Sequence, residues 1–158
     1  MSKFFFVLIF LASCSSLQKK SETGPDYRPR RAEFLGYWIG EMPTKDGKFL
    51  RWLVERRVDG AFTLTHIIKD SPTDSRKLDP EKAKFELGTW GVSGDIYFTA
   101  TRQYYEGKKI SNFDTSDPGL YDAYRIVSFD GSTFTYRSVE TGEEFTVKKV
   151  ARPEMLEL

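Results

Sequence analysis

His66 is the single histidine and Cys14 the single cysteine of this 158-residue chain, so its repertoire for acid–base, nucleophilic or metal chemistry is narrow. His66 lies in AFTLTHIIK (61–69), where Phe62, Leu64, His66 and Ile68 share one side of a period-two pattern. An imidazole in such a row is expected to be a hydrogen-bonded core residue rather than a ligand or general base. No serine lies in a nucleophile-elbow sequence, and GVSG at 91–94 reads as a turn. No pair of carboxylates stands out as acid and base. Asn112, Asp114 and Ser116 have the spacing of the first ligands of a calcium loop. Asp117 stands where such a loop has glycine and Ala123 where it has glutamate, so an ordinary loop is expected. Arg102 and Tyr104, two apart on one strand side, could hold a carboxylate through charge-assisted hydrogen bonds; side chains snorkelling at a strand end are the plain alternative. These residues point to binding rather than turnover, with no cofactor and no metal.

Cys14 ends an apolar run, Phe4 to Ala12, that follows the short positive start Met1-Ser2-Lys3. This is the layout of a secretory signal peptide. Nine apolar residues reach about 14 Å as a helix, against a hydrocarbon core of about 30 Å, so a permanent span is not expected. Leu11-Ala12-Ser13-Cys14 resembles the lipobox of bacterial lipoproteins at all four positions. The resemblance implies cleavage after residue 13, diacylglycerol on the Cys14 sulfur and a further chain on the new amino terminus. Several acyl chains hold a protein on a bilayer stably where one holds only marginally. Ser15, rather than Asp, after the cysteine implies an outer-membrane address, or the outer face of the plasma membrane in a cell without one. An acylated Cys14 leaves no thiol for a disulfide or a metal.

The elements that would position these residues come from the rest of the chain. Lys and Arg number 24 against 23 Asp and Glu; loss of Lys3 with the signal balances the two, which argues against nucleic acid as a partner. The basic pairs Arg56-Arg57, Lys108-Lys109 and Lys148-Lys149 are read as solvated strand ends or loops. Residues 14–33 are polar, carry two prolines, show no apolar periodicity and read as a flexible tether. A single domain is expected over 34–152, followed by a short tail, 153–158.

Thirteen Phe, eight Tyr and three Trp favour strands. Strand-like runs separated by turn signals fall at about 34–41, 48–57, 61–69, 84–92, 95–105, 120–129, 133–139 and 143–150. Asp46-Gly47, Asp59-Gly60, Gly94-Asp95, Asp130-Gly131 and Thr141-Gly142 supply the turns. A turn or two of helix is expected only near 79–82. The expected buried faces are Leu50, Trp52 and Val54; Phe62, Leu64, His66 and Ile68; Ile96, Phe98 and Ala100; and Phe134 with Tyr136. Glu55, Arg57, Glu86 and Lys148 are expected outward, which opposes a membrane-spanning barrel. Eight antiparallel strands in order predict an all-β, up-and-down barrel, which removes both sheet edges. Alternate loops then share a rim, so 42–47, 70–83 and 106–119 crowd one end and tight turns close the other.

Gly36-Tyr37-Trp38 at the head of the first strand resembles the Gly-x-Trp of lipocalins. The resemblance implies that Gly36 and Trp38 form the barrel-closing motif, with a basic residue near the last strand, Lys149 or Arg152, packed across the indole. It also implies a small apolar or amphipathic ligand inside the barrel. Gly36-x-Trp38-x-Gly40 also resembles the opening of nitrobindin-like haem barrels, which use a histidine near the carboxyl end; this chain has none there, and haem is not expected. Trp52, His66, Phe98, Arg102, Tyr104, Tyr124 and Tyr136 are the candidate lining residues. A filled barrel that docks an envelope protein or polysaccharide through its long loops is the alternative, and cavity volume separates the two.

Overall fold

A computed structural model describes residues 30–71, 84–106 and 109–152. The expected signal peptide, Cys14, most of the tether, the short helix near 79–82 and the tail after 152 lie outside these residues. Among the described residues nine strands form, in chain order: β1 (Gly36–Pro43), β2 (Phe49–Arg56), β3 (Ala61–Lys69), β4 (Lys84–Ser93), β5 (Ile96–Glu106), β6 (Lys109–Asn112), β7 (Tyr121–Phe129), β8 (Thr133–Ser138) and β9 (Glu144–Val150). Eight of them close into one antiparallel up-and-down barrel, in the order β4-β3-β2-β1-β9-β8-β7-β5, with β4 pairing β5 to complete the ring. The fold is all-β, as the alternation and turn chemistry predict.

The ninth strand, β6, is an addition. It falls in the stretch expected to be loop and pairs only with the upper half of β5, Gln103↔Asn112 to Glu106↔Lys109. The lower half of β5 pairs with β7, Ile96↔Arg125 to Ala100↔Tyr121. Asp114 and Asp117 direct their carboxylates to the backbone N–H groups of Ser116 and Gly119, each at 2.9 Å, in Asx turns. Such turns are an ordinary use of aspartate in a loop.

The tight-turn end is filled by aromatic side chains. Phe34, Trp38 and Phe134 are fully buried there. The Phe34 and Phe134 rings meet edge-on, 4.9 Å apart at 77°, and Phe129 lies 4.4 Å from Phe34. Edge-on pairs of this kind add about 0.5–1.5 kcal/mol beyond the area they bury. Residues 31–33, assigned from sequence to the tether, instead belong to a 3₁₀ turn, Arg31–Phe34. That turn carries Phe34 into the floor, and its carbonyl accepts the Trp38 indole N–H at 2.8 Å. Of the two basic residues expected there, Lys149 packs over Trp38: its ammonium stands 5.3 Å from the ring centroid and donates to the Glu33 carbonyl at 3.3 Å. Arg152 lies elsewhere, beside Tyr37 on the outer wall.

Candidate functional site

Above the floor the barrel is hollow. A cavity of about 240 Å³ is lined by Leu50, Trp52, Val54 and Arg56 from β2, and by Phe62, Leu64 and His66 from β3. Glu86 of β4, Tyr97, Thr99 and Thr101 of β5, Asp122 and Tyr124 of β7, Tyr136 of β8 and Phe145 of β9 complete the wall. Each set is the inward half of a period-two strand. The volume falls a little under the roughly 300–1,000 Å³ of drug-sized pockets, which sets the scale of an occupant.

One glycine keeps the lumen open. Gly40 pairs with Trp52 across β1 and β2, and a Cβ at Gly40 would stand 2.1 Å from the indole. With no side chain there, Trp52 rests against the β1 backbone instead of crossing the lumen. Trp52 meets Phe145 edge-on at 6.1 Å, at one end of an aromatic cluster that continues around the wall. Tyr97 stacks on Tyr124 at 5.6 Å and Tyr124 meets Tyr136 edge-on at 5.0 Å, while Tyr136 stacks on Phe145 at 5.5 Å.

Of the sequence-derived candidates, Trp52, His66, Tyr124 and Tyr136 come together in this cavity. Phe98, Arg102 and Tyr104 are not among the residues that line it, which corrects the sequence reading of β5. The inward row there is Tyr97, Thr99 and Thr101. Phe98 is 41% exposed on the outer face, where its ring covers the bare backbone of Gly91. A register shift between Leu87 and Gly88 leaves Arg102 unmatched in the ladder. Its guanidinium donates to the Tyr121 hydroxyl at 2.9 Å and lies over that ring. Tyr104 packs at a tilt against Phe113 instead, with the ring centroids 6.4 Å apart. The Arg102–Tyr104 carboxylate clamp is therefore not assembled.

Two charged lining residues were assigned outward positions from sequence, and their inward placement corrects that. Arg56, read with Arg57 as a solvated strand end, is 2% exposed. Its signal was present: it continues the Leu50, Trp52, Val54 row by one more period. Glu86 also faces in and accepts from the Thr101 hydroxyl at 3.4 Å. Burial pushes the Glu86 carboxyl above its ordinary value, against an opposing pull from His66. Burial likewise raises Asp122, offset in part by the Thr99 hydroxyl. Tyr124 and Tyr136 are driven far up, chiefly by burial, so both stay protonated and can donate.

The cavity thus combines apolar walls with a few convergent polar groups, which suits reversible capture of a small amphipathic molecule. Among the described residues, no three His, Cys, Asp or Glu side chains form a group that could hold a metal. No protein-family model matches the chain, and no curated protein matches it either.

Proposed function

We propose that the chain is a lipocalin-like, membrane-tethered binding protein that holds a small apolar or amphipathic molecule in its barrel. The single observation that carries this reading is the hollow: the lumen above the aromatic floor is empty space of about 240 Å³, mostly walled by apolar side chains. A barrel used only as a docking block has no need of a lumen, since eight strands can be packed full. Gly36, Trp38 and Lys149 support the lipocalin likeness, through the sealed end they build.

The tether is proposed from Leu11-Ala12-Ser13-Cys14 and the polar stretch that follows. Acyl chains on Cys14 hold the protein at the outer membrane. The chain enters β1 at the sealed end, so the mouth faces away from the lipid.

Native mass spectrometry of protein purified from the membranes of its own host tests the carrier reading. A discrete added mass, released when the protein is denatured, is the expected result. A bare protein that also takes up no small amphipathic compound would defeat it in favour of an envelope docking module.

A further inference from the structure

We propose that Arg56 is the seat for an anionic head group, and that the occupant is a small monocarboxylate that enters head first with its apolar body toward the mouth. This rests on the carrier reading above and names the class of cargo.

Arg56 is the last residue of β2 and marks the deep end of the cavity it lines. Its guanidinium is held by ring faces: 4.7 Å from the Tyr97 centroid, 5.5 Å from Phe134 and 5.8 Å from Trp38. Among the described residues it makes one hydrogen bond, from Nε to the Tyr97 hydroxyl at 3.2 Å, while Nη1 is buried with no acceptor. It has no carboxylate partner there. Lys69, equally buried, has Glu41 at 3.8 Å. A buried lysine can shed its charge by losing a proton, but a guanidinium keeps it.

Ring faces soften that charge without supplying an acceptor. A plug that served packing alone would be better built from a methionine or leucine, because an unmatched buried donor is costly. What the floor lacks is an acceptor with negative charge, and a carboxylate fits a guanidinium edge with short, charge-assisted bonds. The Tyr97 hydroxyl, which accepts from Nε, keeps its own proton for the same head group.

The other charges in the lumen set the direction. Val54 is one inward position above Arg56 and lies in the ladder row of Leu64 and Glu86. Thr99 is one inward position above Tyr97 and pairs with Asp122. Both carboxylates therefore sit nearer the mouth than the guanidinium. An anion halted at their level meets like charge; among the described lining residues, which include His66, the floor's Arg56 is the one cation whose charge no accessible pH removes. Leu50, Trp52 and Phe145, on strand segments nearer the open rim, are left for an apolar body.

Octanoate and 1-octanol, titrated separately into the purified protein at neutral pH and followed by tryptophan fluorescence, test the inference. Octanoate should bind about tenfold tighter or more. Arg56→Met should abolish that preference, bringing octanoate down to the affinity of 1-octanol, and Tyr97→Phe should reduce it with Arg56 intact. Equal binding of the two by the native protein, or a preference that survives Arg56→Met, overturns the Arg56 assignment and leaves the carrier reading standing. Binding of neither overturns both. If Arg56→Met fails to fold, the native comparison and Tyr97→Phe decide.

Discussion

Glu86 opposes folding at neutral pH, and the sign follows from where its proton is held. Burial raises its folded-state pKa above the ordinary 4.5. Below that ordinary value the carboxyl is protonated in both states and makes no difference. As pH climbs above it the unfolded chain ionises first, so stability falls until the native carboxyl has ionised too. Glu86→Gln removes that penalty. With the partial exposure of the group allowed for, it should stabilise the protein by about 0.5–1 kcal/mol at neutral pH, seen as a few degrees in Tm. The gain should vanish near pH 4. A lower Tm for the variant at neutral pH would mean that the charge of Glu86 against His66 outweighs its burial. At this scale the sequence was legible where polarity and position agree. Trp38 and Gly36 announce a sealed end because a large ring and a positive φ, +100° at Gly36, both need one place in the fold. Arg56 and Glu86 were misplaced because charge alone argues outward. Arg56 shares its inward parity with Trp52 and Val54, whereas Glu86 lies between Phe85 and Leu87, a more apolar pair that faces the outer wall.

The strands themselves were the most legible part of the chain, since period two and Asp-Gly turns such as 59–60 and 130–131 mark them independently. β5 shows why such reading stops short of the site. Ile96, Phe98 and Ala100 are more apolar than Tyr97, Thr99 and Thr101, and the apolar-inward rule selects the first row. A lumen that stays hollow reverses the choice, because the polar row faces the cavity and Phe98 covers Gly91 outside. β6 was illegible for a different reason: four residues, KISN, contain no full alternation. Among the described residues it pairs with β5 alone, and Ile110 is half exposed. Amide hydrogen exchange should therefore find 109–112 the least protected of the nine strands, by about tenfold or more relative to β2 and β5 below Thr101. Protection of β6 equal to that of β2 would show that something beyond this hairpin holds it.

For the whole molecule, the barrel's shape bears on the proposed attachment. The tether leads to the 3₁₀ turn at Arg31–Phe34, and Lys149 reaches back from β9 to that turn's Glu33 carbonyl. The acyl anchor proposed on Cys14 would therefore attach at the sealed end. Cys14→Ser should move the protein from the membrane to the soluble fraction without altering its strand content, read by fractionation and circular dichroism. Lipid crosslinks on the variant's parent should come from 57–60, 94–95 and 130–132 before 139–143. Retention of the serine variant in membranes would remove the acyl tether from the scheme.

The pairing of Tyr37 with Val150 and Trp38 with Lys149 makes the final strand the missing neighbour of the first. A chain emerging from its amino end therefore has nothing to zip β1 against on that flank until nearly every residue has appeared. Half-built intermediates keep two raw edges and lack the lysine that packs on Trp38, so the cylinder is open until β9 is in place. Closure waits for β9, when the two extremities of the domain meet.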